Sequence, residues 1–317
     1  MPRGGPHTAN RGESLAGIVW SSLMSMDMRT DRRKGKAGRA LAALSLVALM
    51  SGTAAQAQAP RANTAPQPSR VIVLEYEVHI IGLRTLTVDT ITRIDGARYQ
   101  FDMMVQNEGV LRALTAAFGS RNQAIGTLGP ASVTPGTGFT GIAVGRDFKR
   151  SWVVRYLPDG TLDETHTNLD QPENFKPTPA QKKGAVDPAT ALMIATFSPG
   201  GPCNRTIKMF DSKRRFDLVA GPATPQVLPP GFTTLFSGQT NTCEMRMKKI
   251  AGYGDGNPKD QATDDEPIRV WLGQLDDSGI EFPVRVTLST GWGTLAGRLK
   301  KREIREFRPE DREAMRR

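Results

Sequence analysis

Four groups of residues in this 317-residue chain have types and spacings that chemistry could use. Gly136, Gly138 and Gly141 spell G-x-G-x-x-G. Such glycines let a backbone approach a dinucleotide pyrophosphate, provided that a strand comes before them and a helix after. Here Pro135 precedes the motif and GIAVG, a strand-like run, follows, so the stretch reads as a glycine-rich β-loop. Asp255, Asn257 and Glu266 fall on positions 1, 3 and 12 of a calcium-loop template. Lys259 and Asp260 occupy the two positions where a ligand and a glycine are needed, which leaves an acidic surface loop. Asp163, Glu164, His166 and Asp170 form the third group, a set that metal binding or acid–base work would use. A metal site usually wants two or three His or Cys ligands, and after residue 57 only His79 and His166 remain, so an exposed turn is the default. The fourth group is Cys203 and Cys243, the only cysteines. In an oxidising compartment an even pair reads as a disulfide. There is no G-x-S-x-G elbow, H-E-x-x-H helix or P-loop. The sequence therefore assigns no catalytic residue, no metal and no cofactor.

The elements that would have to position these groups are mostly strands. VIVLEYEVHIIG, LRTLTVDTITRI and ARYQFDMMVQNEG read as a three-stranded meander. In the second, Leu86, Val88 and Thr90 face one way and Thr87, Asp89 and Ile91 the other; Asp95-Gly96 marks the next turn. Strands continue at NQAIGTLG, GFTGIAVG and RSWVVRYLP, with Asp159-Gly160 as a further turn. Residues 166–186 are polar and proline-bearing and read as a loop. The last third is β-rich again, with turns at Asp211-Ser212, Gly254-Asp255-Gly256 and Asp277-Ser278-Gly279.

Two stretches break this pattern. Val110, Leu111, Leu114 and Phe118 recur at helical spacing, with Gly119 as a stop, and predict a short amphipathic helix. Such a helix covers a sheet face, or acts as a lid over an apolar cavity whose binding residues would be those four. DPATALMIATF predicts a second helix, with Asp187 capping its free N–H groups, Pro188 in the first turn, and Ala191, Leu192 and Ala195 on its packed face.

Export is written at the other end. Arg32, Arg33, Lys34, Lys36 and Arg39 precede an apolar core, Leu41 to Met50, which is followed by small residues ending in Ala55-Gln56-Ala57. That order is a secretory signal peptide, cleaved near Ala57. A core of this length is about half the roughly 20 residues that a membrane-spanning helix needs. Among Met1, Met24, Met26 and Met28, a start at Met28 gives an n-region of ordinary length. Removing residues 1–57 takes away 8 of the 42 Lys and Arg and 3 of the 32 Asp and Glu, so the net charge falls from +10 to +5. The nucleic-acid reading that the full-length charge suggests largely disappears with them. Domain organisation then reads as extension and signal peptide over 1–57, a linker over 58–70, one β-rich domain over 71–307 and a charged, solvated tail over 308–317.

The order of several short motifs resembles a known family. DPATALM is followed by IKMFDSKRRFDLV, CEMRMKKIAGY and VWLGQLDDSGIEFPVRVTLST. The positions that carry the likeness are Asp187; Phe210, Asp211 and Arg215; Cys243, Ile250, Gly252 and Tyr253; and Trp271, Leu272, Pro283, Val284 and Arg285. Tyr76 and Gly82 look like the family's opening segment. Over residues 71–300 the chain is similar to the exported proteobacterial proteins grouped as domain of unknown function 3108. Ser212 departs from the pattern, where the family's hairpin has glycine. The resemblance implies a secreted, mainly antiparallel β protein and brings no reaction with it.

The expectation is a mainly β fold: a long curved antiparallel sheet, open or partly closed like a barrel, with one or two short covering helices. A periplasmic, non-enzymatic protein follows, binding an apolar or envelope-derived ligand such as a lipid, or maintaining the cell envelope, without nucleic acid and without spanning the membrane. The rivals are a hydrolase of envelope polymers using Asp163 and Glu164, and an interaction scaffold with no small ligand.

Overall fold

The alternation in the first meander sets the architecture. The computed structural model of the protein describes residues 68–316 apart from 116, 130–131, 147, 168–172, 234, 254–266 and 291–292. The signal peptide, the linker up to residue 67, Asp170 and the Asp255–Glu266 loop lie outside the described residues. Strands β1 (Arg70–Ile80), β2 (Leu83–Asp95) and β3 (Arg98–Asn107) pair antiparallel through tight turns. Leu86, Val88 and Thr90 share one face, as their spacing requires, and meet Val78, Tyr76 and Leu74 across the strand boundary.

The chain continues through helix α1 (Gly109–Thr115) to β4 (Gly119–Leu128), β5 (Val133–Gly145), β6 (Phe148–Tyr156) and β7 (Leu162–Thr167). A 3-10 turn (Glu173–Phe175), the one-turn helix α2 (Pro179–Lys182) and helix α3 (Pro188–Phe197) follow. Then come β8 (Thr206–Phe210), β9 (Arg215–Ala220), β10 (Thr224–Leu228), β11 (Gly238–Ala251), β12 (Ile268–Gln274), β13 (Glu281–Thr290), β14 (Gly293–Glu306) and helix α4 (Pro309–Ala314). The 14 strands of the described residues belong to one antiparallel sheet in the order β7-β6-β5-β4-β3-β2-β1-β14-β13-β12-β11-β9-β8, with β10 also on β11. The first and last strands pair at its centre, Val71 opposite Arg305 and Ile80 opposite Leu295.

The sheet does not close on itself. Its two outer strands, β7 and β8, are instead joined by the segment 179–187. Lys182 Nζ lies 2.5 Å from Glu164 Oε2 on β7, and Gly184 N donates to Gly160 O. On the other side Val186 N donates to Lys208 O and Phe210 N donates to Val186 O, a short parallel bridge onto β8. The strap gives the edge of β8 backbone partners that an open sheet would leave to another chain, and anchors the β7 end through Glu164 and the turn at Gly160.

Helix α3 runs through the concave side. Asp187 is its N-cap and Pro188 its first residue, as the sequence predicts, and Asp187 Oδ1 accepts from Thr190 N at 2.8 Å. Its apolar residues are not confined to one stripe, which suits a helix surrounded by protein. It packs against β3, β4 and β5 on one side and β8 and β13 on the other. Cys203 and Cys243 form a disulfide, with Cα atoms 5.7 Å apart, which ties the turn after α3 to β11.

The structure adds to the sequence reading at three places. Among the described residues there are four short helices rather than one or two. The expected loop 166–186 begins inside β7 and contains α2, whose Thr178 and Gln181 form a reciprocal capping box. The charged tail folds as α4 and docks: Asp311 is buried and accepts from Arg305 Nη1 at 2.7 Å and Nη2 at 2.8 Å, while Arg312 pairs with Asp95.

Candidate functional site

Inner-facing side chains of β1, β2 and β3, with those of β8, β9 and β11–β14, leave a gap under α3. It is a partly enclosed cavity of about 210 Å³. The alternating sets Leu74, Tyr76 and Val78 on β1 and Phe101, Met103 and Val105 on β3 form one wall. Ala191 and Ala195 turn small side chains toward it from the helix, and Gly297 contributes none from β14. Small residues facing one another across a sheet and a helix are what keep the space open.

No charged side chain lines the cavity among the described residues. Two of its polar groups are already engaged. Tyr76 Oη donates to Pro283 O at 2.9 Å and Thr90 Oγ1 to Leu74 O at 3.4 Å. Burial pushes the Tyr76 phenol above its ordinary pKa, so it stays neutral. The lining offers neither a free base nor a charged nucleophile, and its chemistry is that of an apolar solvent.

A buried polar cluster fixes the roof. Asp187 Oδ2 accepts from Tyr156 Oη at 2.5 Å and from Thr190 Oγ1 at 2.6 Å, and Tyr156 Oη accepts from Asp187 N at 2.7 Å. Tyr99 Oη lies 3.3 Å from Thr190 Oγ1. Full burial pushes the Asp187 carboxyl above the usual range, with the donors from Thr190 and Tyr156 acting against it. Burial, with Asp187 beside it, likewise raises the Tyr156 phenol. These bonds hold the first turn of α3 to β3 and β6, which sets the helix over the cavity.

Beyond Met103 one row of the inner face brings in Asn122 and His166 among apolar neighbours such as Phe139 and Val154. The register runs Met103, Asn122, Gly141, Trp152 and His166 across β3 to β7. The indole of Trp152 lies flat over Gly141, where any Cβ would collide with it. That explains one glycine of the G-x-G-x-x-G run. Gly136 meets the Ile125 carbonyl and Gly138 the Val154 carbonyl in the same way, inside strand β5, so the motif serves close packing.

The sequence-derived candidates fall elsewhere. Leu111 is half-buried against the core on α1. Phe118 lies beyond the end of that helix and is buried; Asn107 accepts from Phe118 N at 2.8 Å and draws the chain into β4. Neither Leu111 nor Phe118 is among the described residues lining the cavity. The side chains of Val110 and Leu114 are outside the described set. Asp163 and Glu164 are neighbours on β7 and point to opposite faces: Asp163 is exposed beside Arg155, Glu164 turns inward to Lys182. His166 is inward and half-buried, its pKa lowered first by burial. His79 is on β1, on the far side of the sheet from these, so the two histidines do not meet. Among the described residues no three His, Cys, Asp or Glu side chains gather as a metal would need.

The helix that covers the cavity is α3, whose Ala191 and Ala195 were legible as a packed face. No family model matches the chain, and no curated protein matches it closely enough to count as a relative. No helix among the described residues is long and apolar enough to cross a membrane.

Proposed function

We propose that this is an exported periplasmic protein that binds the apolar part of a lipid or other envelope-derived molecule, without catalysing a reaction on it. The observation that carries the proposal is a cavity of about 210 Å³ with no charged lining residue. An apolar cavity of roughly 150 Å³ stays dry and takes up a benzene ring, so this one suits an acyl segment or a ring. It is too small for a whole lipid, whose polar part would remain outside.

Export is supported by the disulfide, which persists in oxidising compartments, by the leader grammar ending at Ala57, and by the likeness to exported proteins of the domain of unknown function 3108 group. Hydrolysis of envelope polymers has less support, because Asp163 and Glu164 face apart and each has a basic partner.

Native mass spectrometry on protein purified from the periplasm tests the proposal. A co-purifying lipid that is released by competition with a polarity-sensitive apolar probe is the expected result. Protein that carries no small molecule and takes up no probe would favour the interaction scaffold and overturn the proposal.

A further inference from the structure

On the convex face of the strands that line the cavity, two arginines stand directly opposite each other. Arg285 on β13 is registered with Arg298 on β14. Like charges in that position repel and weaken a strand pair. Neither guanidinium makes an ion pair with a described carboxylate. The Nε of each is buried and has no acceptor among the described residues, a desolvation cost that nothing offsets.

The acid in register with Arg298 is Glu77 on β1. It is already taken: Oε1 accepts from Arg84 Nη1 at 3.1 Å and lies 3.0 Å from Lys300 Nζ, and Oε2 is 3.9 Å from His79 Nε2. Arg285 is held in place from both sides. Its guanidinium lies 4.5 Å from the Phe232 ring centre and 5.2 Å from that of Trp271, and Nη1 donates to Phe232 O at 3.1 Å. Trp271 is fixed in turn by donating Nε1–H to Gln226 Oε1 at 2.9 Å. Burial and then Arg298 lower the Arg285 pKa, and the same two causes lower that of His79. The positive charge at this place comes from the two guanidiniums, with His79 beside them held toward its neutral form.

We propose that Arg285 and Arg298 form a binding site for a phosphate group on the outer face of β13 and β14. A guanidinium is a planar fork that matches phosphate oxygens bidentately. Two guanidiniums on registered neighbours fit a dianion, which would convert their repulsion into a shared attraction. Arg285 is preorganised for this by its two aromatic neighbours, so little ordering is left to binding. The phosphate belongs to a soluble phosphorylated compound or to a lipid headgroup. The site is separate from the cavity and stands without it.

Thermal unfolding of the purified protein in sodium phosphate, against sodium chloride of equal ionic strength, tests this. Phosphate should raise the midpoint of the wild type, and Arg298→Gln should weaken the effect at least tenfold. In chloride, Arg298→Gln should unfold at the same temperature as the wild type or higher, since it removes the repulsion. An arginine with a purely structural role would lower it. Arg285→Gln is a second variant, read by phosphate dependence alone because it also loses aromatic packing. Sedimentation with phosphatidylglycerol and phosphatidylcholine vesicles at about 0.15 M salt separates the sources. Retention by the anionic vesicles that Arg298→Gln abolishes assigns a lipid headgroup; stabilisation by phosphate without retention assigns a soluble ligand. Equal midpoints in phosphate and chloride with no retention, or effects that survive in both variants, would overturn the site.

Discussion

Gly297→Leu puts a side chain into the cavity from a strand that has room for it. Gly297 lies on the inner face of β14 between Leu295 and Leu299, and it lines the space under α3. Its backbone is not in the left-handed region, so any L-residue can take its conformation. A Cβ there would meet only Val286, with O at 3.9 Å and Cβ at 4.0 Å, which is ordinary van der Waals contact. Replacing a mid-strand glycine gains about 0.5–1 kcal/mol from backbone entropy. Burying a leucine side chain gains about 1.5–3 kcal/mol. Together these predict a variant more stable by roughly 2–4 kcal/mol, which for a domain of this size moves the thermal midpoint up by about 4–16 °C. The same side chain occupies the space that a ligand would need, so affinity for an apolar probe should drop at least tenfold. Differential scanning calorimetry and probe titration on wild type, Gly297→Ala and Gly297→Leu give both readouts. A leucine variant less stable than the alanine one would mean overpacking, which costs about 1–3 kcal/mol, and would refute the open cavity at this point. Higher stability with undiminished probe affinity would refute the cavity as the binding site.

Three further outcomes are expected. Ser212 sits in the left-handed region at φ 76°, a conformation costing an L-residue about 1–2 kcal/mol; Ser212→Gly should gain about 0.5–1 kcal/mol net of glycine's unfolded-state entropy, seen as a higher urea midpoint, and a lower one contradicts the assignment. Burial raises the folded-state pKa of Asp187 above its unfolded value, so folding takes up a proton; that contribution is complete below the unfolded pKa and fades as pH rises through the folded one. The thermal midpoint of Asp187→Asn should therefore gain on that of the wild type as pH increases, and a gap independent of pH would count against it. Reducing the Cys203–Cys243 bridge opens a loop of 40 residues and should cost about 4 kcal/mol, measurable as a fall in the denaturant midpoint on adding dithiothreitol.

Local chemistry makes much of the fold legible in the sequence. The period-two pattern of Leu86, Val88 and Thr90, the turn at Asp95-Gly96 and the cap at Asp187 each act within a few residues, and each reappears in the structure. Ser212 stood out as a non-glycine where a hairpin favours glycine, and its positive φ gives the physical reason. Strand β7 is hard to read because two of its three inward side chains, Glu164 and His166, are polar, and only Leu162 marks an apolar face. Strand β10 carries Pro225 and four exposed residues, so it has no apolar face to announce it. Helix α4 was read as solvated because Asp311 finds Arg305 and Arg312 finds Asp95 only after folding. The cavity was the least legible feature. It depends on Ala191, Ala195 and Gly297 facing one another across about a hundred residues of chain, and no periodic signal records which small residues will meet.

The pairing of β1 with β14 governs how the polypeptide can assemble. A nascent chain makes β1 first, and one flank of that strand has no mate until the final segment arrives, 213 residues after β1 ends. Through that interval its amide groups are open to any passing backbone, and the central seam is the last to zip. Early termination before Gly293 would cost the molecule its middle rather than its margin.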